Sequence, residues 1–465
     1  MPNAPTVVSA PGKVLLAGGY LVLDRQYTGL VFGLSARINV IAREIKTSEG
    51  VQLSEIVVDS PQFLEAQWRY GYHLAPEDGG IKLTQLQVGS KISPNPFVEV
   101  TLAYALTYIT TVGHFKPSNA FDPVHLTILA DNDYYSQPHT SPTTSSASCS
   151  GAAPSRFAKF PTKLKDAHKT GLGSSAALVT ALTAALLTHY LPPSVFDLES
   201  EKGRQILHNL AQAAHCAAQG KVGSGFDVAA AVYGSCVYRR FSPSVLRDLP
   251  EVGTPGFAPA LAACVESADR WDTQVAKEGV RVPPGLVLRM CDVDCGSQTV
   301  GMVKQVLKWR DETDPAGAKQ LWDDLQARNE ALGQALLQAT TTTTTTDQNS
   351  SSNDGIRDAV AQIRHLVREM GRRSGVPIEP DSQTQLLDAL RDGVDGVLEG
   401  VVPGAGGFDA LVLLTRDDEK TENSIREFLR KWSEEKGAKV KLLGVKGEMQ
   451  GVRREGPAQY EGWLG

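Results

Sequence analysis

The stretch Lys169-Thr170-Gly171-Leu172-Gly173-Ser174-Ser175-Ala176-Ala177 places the strongest constraint on what this chain can fold into. Two glycines flank one apolar residue, two serines follow, and a run rich in Ala and Leu extends to Leu191 before Pro192-Pro193. The pattern predicts a tight turn feeding a helix that starts after Ser175 and ends near Tyr190, where the prolines stop it. The first turn of such a helix leaves N–H groups without intrahelical partners, and its dipole is positive at that end. The junction therefore suits an anion such as phosphate. It is not a Walker A loop, since no Gly-Lys-Ser/Thr follows, and it lacks the three-glycine spacing of a Rossmann turn.

A chain of 465 residues is long enough for more than one core. With 42% hydrophobic and 21% charged residues it reads as a soluble globular protein. The formal net charge of −6 gives no reason to expect nucleic acid or an anionic membrane as partner. No apolar run reaches the length of a membrane span, and the first residues lack the features of a signal peptide. The six cysteines are thinly spread without a Cys-x-x-Cys pair, which predicts reduced, mostly buried thiols in a cytoplasmic protein.

Three further stretches share the character of the glycine loop. Near the start, β-prone residues from Thr6 to Ala10 lead into Pro11-Gly12-Lys13-Val14-Leu15-Leu16. Apolar neighbours on both sides predict a partly buried Lys13, which needs an anionic partner or ligand. A helix over about 201–219 ends in Gly220-Lys221-Val222-Gly223-Ser224-Gly225-Phe226-Asp227, a second Gly/Ser turn with a carboxylate where the next helix begins. A third turn, Pro403-Gly404-Ala405-Gly406-Gly407-Phe408-Asp409, precedes a strand from Ala410. A Ser/Thr turn, Gly296-Ser297-Gln298-Thr299, links a strand ending near Met290 to a helix holding Lys304. Residues 136–156 are rich in Ser, Thr and Pro and read as a mobile loop, and 339–354 as a disordered low-complexity insertion. The Pro-rich segment from about Arg240 suggests a domain boundary, giving domains at 1–240 and 241–465. The second half alternates strands and helices, as in an antiparallel sheet covered by helices, and closes with a strand from Lys439 to Leu443 and a short tail.

Read together, the turns describe a phosphoryl-transfer site. Residues 171–175 cradle nucleotide phosphates, and Ser174 or Ser175 offers a hard oxygen to Mg²⁺. Lys13 supplies positive charge to the transferring group, and Asp227 orients the acceptor or Lys13.

The segments 9–14, 171–177 and 403–409 resemble the three motifs of the GHMP small-molecule kinases, in the same order. Within that group the resemblance is closest to the phosphomevalonate kinase family of eukaryotes, in particular its fungal type. Supporting residues are Gly18-Gly19-Tyr20, Asn95-Pro96-Phe97, Asp131-Asn132-Asp133 and Lys169-Thr170. Ala167 stands where many members carry a proline.

The resemblance implies an α+β fold. An N-terminal domain like the second domain of ribosomal protein S5 would precede a ferredoxin-like C-terminal domain, with the site between them. It implies ATP and Mg²⁺ as cofactors and a phosphate ester, 5-phosphomevalonate, as acceptor, in the mevalonate route to isoprenoids. Lys13 and Asp227 become the catalytic pair. Lys169, Gly171, Leu172, Gly173, Ser174, Ser175, Ala176 and Asn132 become the nucleotide contacts. Acceptor contacts are sought at Lys13, Tyr20, Lys91, Arg156, Ser224, Ser297, Thr299 and Lys304. The expected assembly is a monomer or weak homodimer. Mevalonate kinase or diphosphomevalonate decarboxylase chemistry on the same fold, or a non-catalytic ligand sensor, are the alternatives at this point.

Overall fold

The computed structural model describes residues 4–46, 55–87, 92–113, 121–136, 156–293, 299–341 and 346–463. Its N-terminal half begins with a long antiparallel pair, β1 (Thr6–Ala17) and β2 (Gly29–Glu44), followed by β3 (Glu55–Asp59), β4 (Gln67–Leu74) and β5 (Ile81–Gln85). Helix α1 (Pro96–Val112) is opened by Asn95, whose side chain accepts from the Val98 N–H, with Pro96 at its first position. Strand β6 (Val124–Ala130) and helices α2 (Ser174–Tyr190), α3 (Glu201–Gln219) and α4 (Phe226–Tyr233) follow, then β7 (Cys236–Arg239), α5 (Phe257–Glu266) and β8 (Gln274–Ala276).

The predicted helix behind the glycine loop is α2, and it is the core of this half. Eleven of its residues, from Ala176 to Leu187, are buried. It packs on β1 and β2 and is flanked by α1, α3 and α4. Helix α3 matches its expected span; Ser200 caps its start and Gly220, left-handed at φ 66°, its end. Beyond the junction expected near residue 240, α5 still packs on α1 and α3.

The C-terminal half comprises β9 (Leu286–Val293), α6 (Thr299–Lys308), α7 (Pro315–Thr341), α8 (Thr346–Ser374), α9 (Asp381–Gly393), β10 (Val397–Val401), β11 (Ala410–Arg416), α10 (Glu419–Lys436), β12 (Val440–Glu448) and β13 (Arg453–Arg454). Strands β10, β11, β9 and β12 form the expected antiparallel sheet. Its two faces are read off β11 by the two-residue period of a strand. Leu411 and Leu413 join the cluster formed with Leu387, Leu390 and Ile425 of α9 and α10. Val412 and Leu414 join the cluster that contains Ile356 and Ile363 of α8.

Two features differ from the sequence reading. The expected disordered insertion is helical where it is described: α7 runs through Thr341 and α8 starts at Thr346, with 342–345 outside the described residues. Thr340 and Thr341 close the end of α7 by donating to the carbonyls of Leu336 and Leu337. The expected short tail instead returns to the first half. The end of β12 pairs with β2, as Gly447 with Leu34 and Glu448 with Gly33, and β13 pairs with β1. One sheet of thirteen described strands thus runs through both halves, with β12 as the strand common to both. Residues 137–155, most of the expected mobile loop, lie outside the described residues.

Candidate active site

Strand β1 does not stop at Ala10 but continues through Lys13 to Ala17, with a register shift against β2 between Pro11 and Lys13. Such an irregularity re-aims a side chain out of the sheet. Gly12 is pressed onto the glycine loop: a Cβ there would stand 2.8 Å from the Leu172 carbonyl oxygen. The Lys13 N–H donates to that oxygen at 2.8 Å, tying β1 to the loop.

The Lys13 side chain then lies along the loop. Gly173, at φ +83°, is the left-handed residue that starts α2, and a Cβ on it would meet Lys13 Cε at 2.8 Å and Cγ at 2.9 Å. Both the backbone angle and the space therefore require glycine. Lys13 Nζ donates to the Gly171 carbonyl at 3.3 Å and stands 5.5 Å from the centroid of the Phe226 ring. Desolvation lowers its pKa below 10.5, and the nearby charge of Asp227 opposes part of that shift. Among the described residues Lys13 makes no ion pair within 4.0 Å, so Asp227 acts on it at longer range.

The glycine loop presents main chain rather than side chains. Gly171, at φ +72°, has open space where a Cβ would be. No side chain caps α2, so the N–H groups at Ser174, Ser175 and Ala176 carry the helix's positive end. The side chains of Leu172 and Ala176 are buried in the core, so these two contribute backbone alone.

The turn before α4 is built likewise, with Gly225 left-handed at φ 81° and no side-chain cap. Asp227 Oδ1 accepts from the Val228 N–H at 3.0 Å. The third turn closes the site from the other half. The Gly404 N–H donates to the Leu15 carbonyl at 3.2 Å, and the Gly407 N–H to the Ile378 carbonyl at 2.9 Å. Tyr20, held at φ 65°, donates its hydroxyl to the Ala405 carbonyl at 2.7 Å. Burial raises its pKa, so it stays a neutral donor.

Two cavities meet at this junction. One, of about 320 Å³, is lined by Lys13, Tyr20, Ser224, Phe226, Met290 and Gly404 among others. The other, of about 950 Å³, is lined by Asn132, Lys169, Asp292 and, from β12 and the segment before it, Lys439 and Lys441. Gly171 and Asp409 line both. Lys169 also lines a pocket of about 70 Å³ at Ser174 and Ser175, walled by Trp68, Asn95 and Phe97.

The site thus gathers Lys13, Tyr20, Lys169, Gly171, Gly173, Ser174, Ser175, Ser224 and Asp227. Asn132 borders the larger cavity, its side-chain oxygen accepting from the Ala158 N–H at 2.7 Å. Two candidates stand elsewhere. Arg156 is committed to Asp131 through a 2.6 Å ion pair and also reaches Gln459 and the Phe157 ring, because a guanidinium beside a buried carboxylate is held by it. Lys304 is exposed on the outer side of α6, whose Val303 lines the Lys13 cavity instead. Lys91, Ser297 and the Thr299 side chain lie outside the described residues. The structure adds His215, whose Nε2 lies 3.1 Å from Ser175 Oγ and 3.8 Å from Asp227 Oδ2. Its one trace in the sequence is an imidazole set between the alanines and cysteine of the apolar face of α3.

Residues 159–235, which carry the glycine loop and Asp227, match the family described as the GHMP kinases N terminal domain. The chain is 60% identical over 461 residues to the phosphomevalonate kinase of Gibberella zeae, covering 99% of each. It is 44% identical to that of Aspergillus fumigatus, covering 100% of this chain and 99% of the relative. Its fold is similar to that of the Streptococcus pneumoniae phosphomevalonate kinase solved with phosphomevalonate and AMPPNP, at a TM-score of 0.57 and 17% identity, over 97% of this chain and 99% of the other. With the three motif segments converging on one cleft and near full-length identity of this order, the chain belongs to the phosphomevalonate kinase family of the GHMP kinases.

Proposed function

We propose that this chain transfers the γ-phosphate of ATP to (R)-5-phosphomevalonate, releasing ADP and (R)-5-diphosphomevalonate. Beside family membership, the observation that carries this reading is Gly171: it lines both cavities, with Lys13 Nζ on its carbonyl. A donor phosphate on the N–H groups of 174–176 and an acceptor in the Lys13 cavity would meet over that residue.

The acceptor nucleophile is a phosphate monoester, whose second pKa is about 6. At neutral pH it is already mostly dianionic, so proton removal is a minor need and repulsion between anions is the main one. Lys13 and the uncapped start of α2 answer that repulsion, and Asp227 positions Lys13 and the acceptor. The apolar walls at Phe226, Met290 and Val303 exclude water and strengthen these electrostatic interactions. The adjoining pocket of about 220 Å³, lined by Trp68, Ile92, Asn95, Leu164 and Lys169, suits the nucleotide base.

Ser174, Ser175 and Asp227 offer hard oxygens. No group of three or more His, Cys, Asp or Glu gathers among the described residues to cage an ion. That donor set fits Mg²⁺, which usually keeps water and substrate phosphates as its main ligands. Bound there, it supplies charge neutralisation between the phosphates.

The test is ADP release with mevalonate, its 5-phosphate and its 5-diphosphate offered separately. Product from the 5-phosphate is expected. Turnover of mevalonate instead, or loss of carbon dioxide from the diphosphate, would assign one of the sister reactions. Nucleotide binding without ADP formation on any acceptor would make the chain a sensor.

A further inference from the structure

His215 lies near the end of α3, and its side chain is 2% exposed. The ring is clamped rather than free. Phe97 packs beside it at 5.7 Å between centroids and 33° between planes. The Gln219 amide nitrogen, one helical turn on, lies 3.0 Å from Nδ1 and 2.9 Å from Nε2. From that fixed ring Nε2 reaches Ser175 Oγ at 3.1 Å and faces Asp227 Oδ2 at 3.8 Å. One buried nitrogen therefore stands between the glycine loop that starts α2 and the turn that starts α4.

A serine hydroxyl has one proton and two acceptor lone pairs, and it rotates to suit its surroundings. At a site that water fills and leaves, such a rotor samples several directions. A buried imidazole that holds one position of the hydroxyl selects a single rotor state and aims the remaining positions outward, towards the α2 N-terminus. We propose that His215 is a positioning residue for nucleotide binding, fixing the Ser175 hydroxyl towards the phosphate chain and setting its spacing from Asp227. The inference rests on the kinase reading, but it concerns the nucleotide side and not the identity of the acceptor.

A double-mutant cycle between His215 and Ser175 tests it, read both as kinetics with phosphomevalonate and as calorimetric affinity for AMPPNP with Mg²⁺. H215L should lower kcat/KM for ATP by about thirtyfold while the acceptor KM stays within about twofold. H215Q, whose amide keeps a polar group near the place of Nε2, should recover most of that loss. S175A and S175A/H215L should be nearly equal, because His215 then has no hydroxyl left to orient. If H215L loses its cooperative thermal transition, the cycle with H215N in its place decides, since a shorter amide keeps a polar group near the place of Nδ1 but not of Nε2. Effects that multiply fully in the double mutant, or an H215Q variant as impaired as H215L, overturn the proposal. A wild-type protein inactive on phosphomevalonate overturns the functional reading instead, and the AMPPNP cycle still decides the role of His215.

Discussion

Lys13 Nζ sits 3.3 Å from the Gly171 carbonyl oxygen and forms no ion pair with Asp227, although that carboxylate is the opposite charge that acts on it. The ammonium is held by a neutral carbonyl at the mouth of the phosphate loop, where an incoming anion is its natural partner. The carboxylate is placed to tune the lysine rather than neutralise it.

Steady-state kinetics of K13M and D227N should reflect that asymmetry. K13M removes the charge offered to the transferring group and should lower kcat by about a thousandfold or more. D227N keeps the size and the Val228 contact and should cost about tenfold to a hundredfold, since the acceptor needs little help in losing a proton. A D227N loss equal to or larger than that of K13M would assign Asp227 the role of general base.

The lowered pKa of Lys13 has a pH consequence whose sign follows from its charge. Activity needs the ammonium, so kcat/KM should fall as pH rises, with a midpoint below 10.5, while the acceptor's own ionisation sets the acid limb near pH 6. K13R, which stays charged, should move the alkaline limb upward at a reduced rate. Stability runs the other way: between the folded and unfolded pKa values the unfolded chain binds the extra proton, so this group's contribution to stability rises with pH there and is lost as pH falls through the folded value.

Gly173→Ala combines a left-handed backbone angle with a methyl group against the Lys13 stem. A loss of about 1–3 kcal/mol in stability is expected, together with a rise of about tenfold in KM for ATP. Gly171→Ala has the angle without the crowding, so its thermal shift should be smaller while its methyl still projects into the cleft. Differential scanning calorimetry beside ATP titrations separates the two.

Arg364 of α8 is buried against Glu379 and Glu399, with ion-pair distances of 2.8 and 3.3 Å. Glu379 adjoins Ile378, whose carbonyl accepts from the Gly407 N–H of the third turn, and Glu399 lies in the strand leading into that turn. Arg364→Met removes the buried arginine that the two carboxylates share, leaving Glu379 with Arg368 at 2.9 Å and Glu399 with Arg391 at 3.3 Å, and should cost about 1–3 kcal/mol in urea unfolding. If the cluster holds the turn, KM for the acceptor should rise as well.

The local features of the site were readable because they depend on neighbours in the chain. A glycine turn before an apolar run starts a helix wherever it is put, and α2 and α3 fall where their patterns predict. Ser174, Ser175 and the junction at Asp227 follow from the same rule. Arg156 and Lys304 could not be sorted by that logic. Whether a cation faces a ligand or a carboxylate depends on what folds against it, and Asp131 claims Arg156.

The glycine loop, the Lys13 strand and the order of the three turns were therefore determined by sequence alone, because backbone freedom and helix starts are local properties. Tertiary structure decided their meeting. It bent β1 at Lys13 so that the side chain crosses Gly173, returned the last strands to β1 and β2 to join the two halves, and set His215 between Ser175 and Asp227. Those contacts link residues up to hundreds of positions apart. Their pairing is selected by packing and burial across the whole core, which no short stretch of chain encodes.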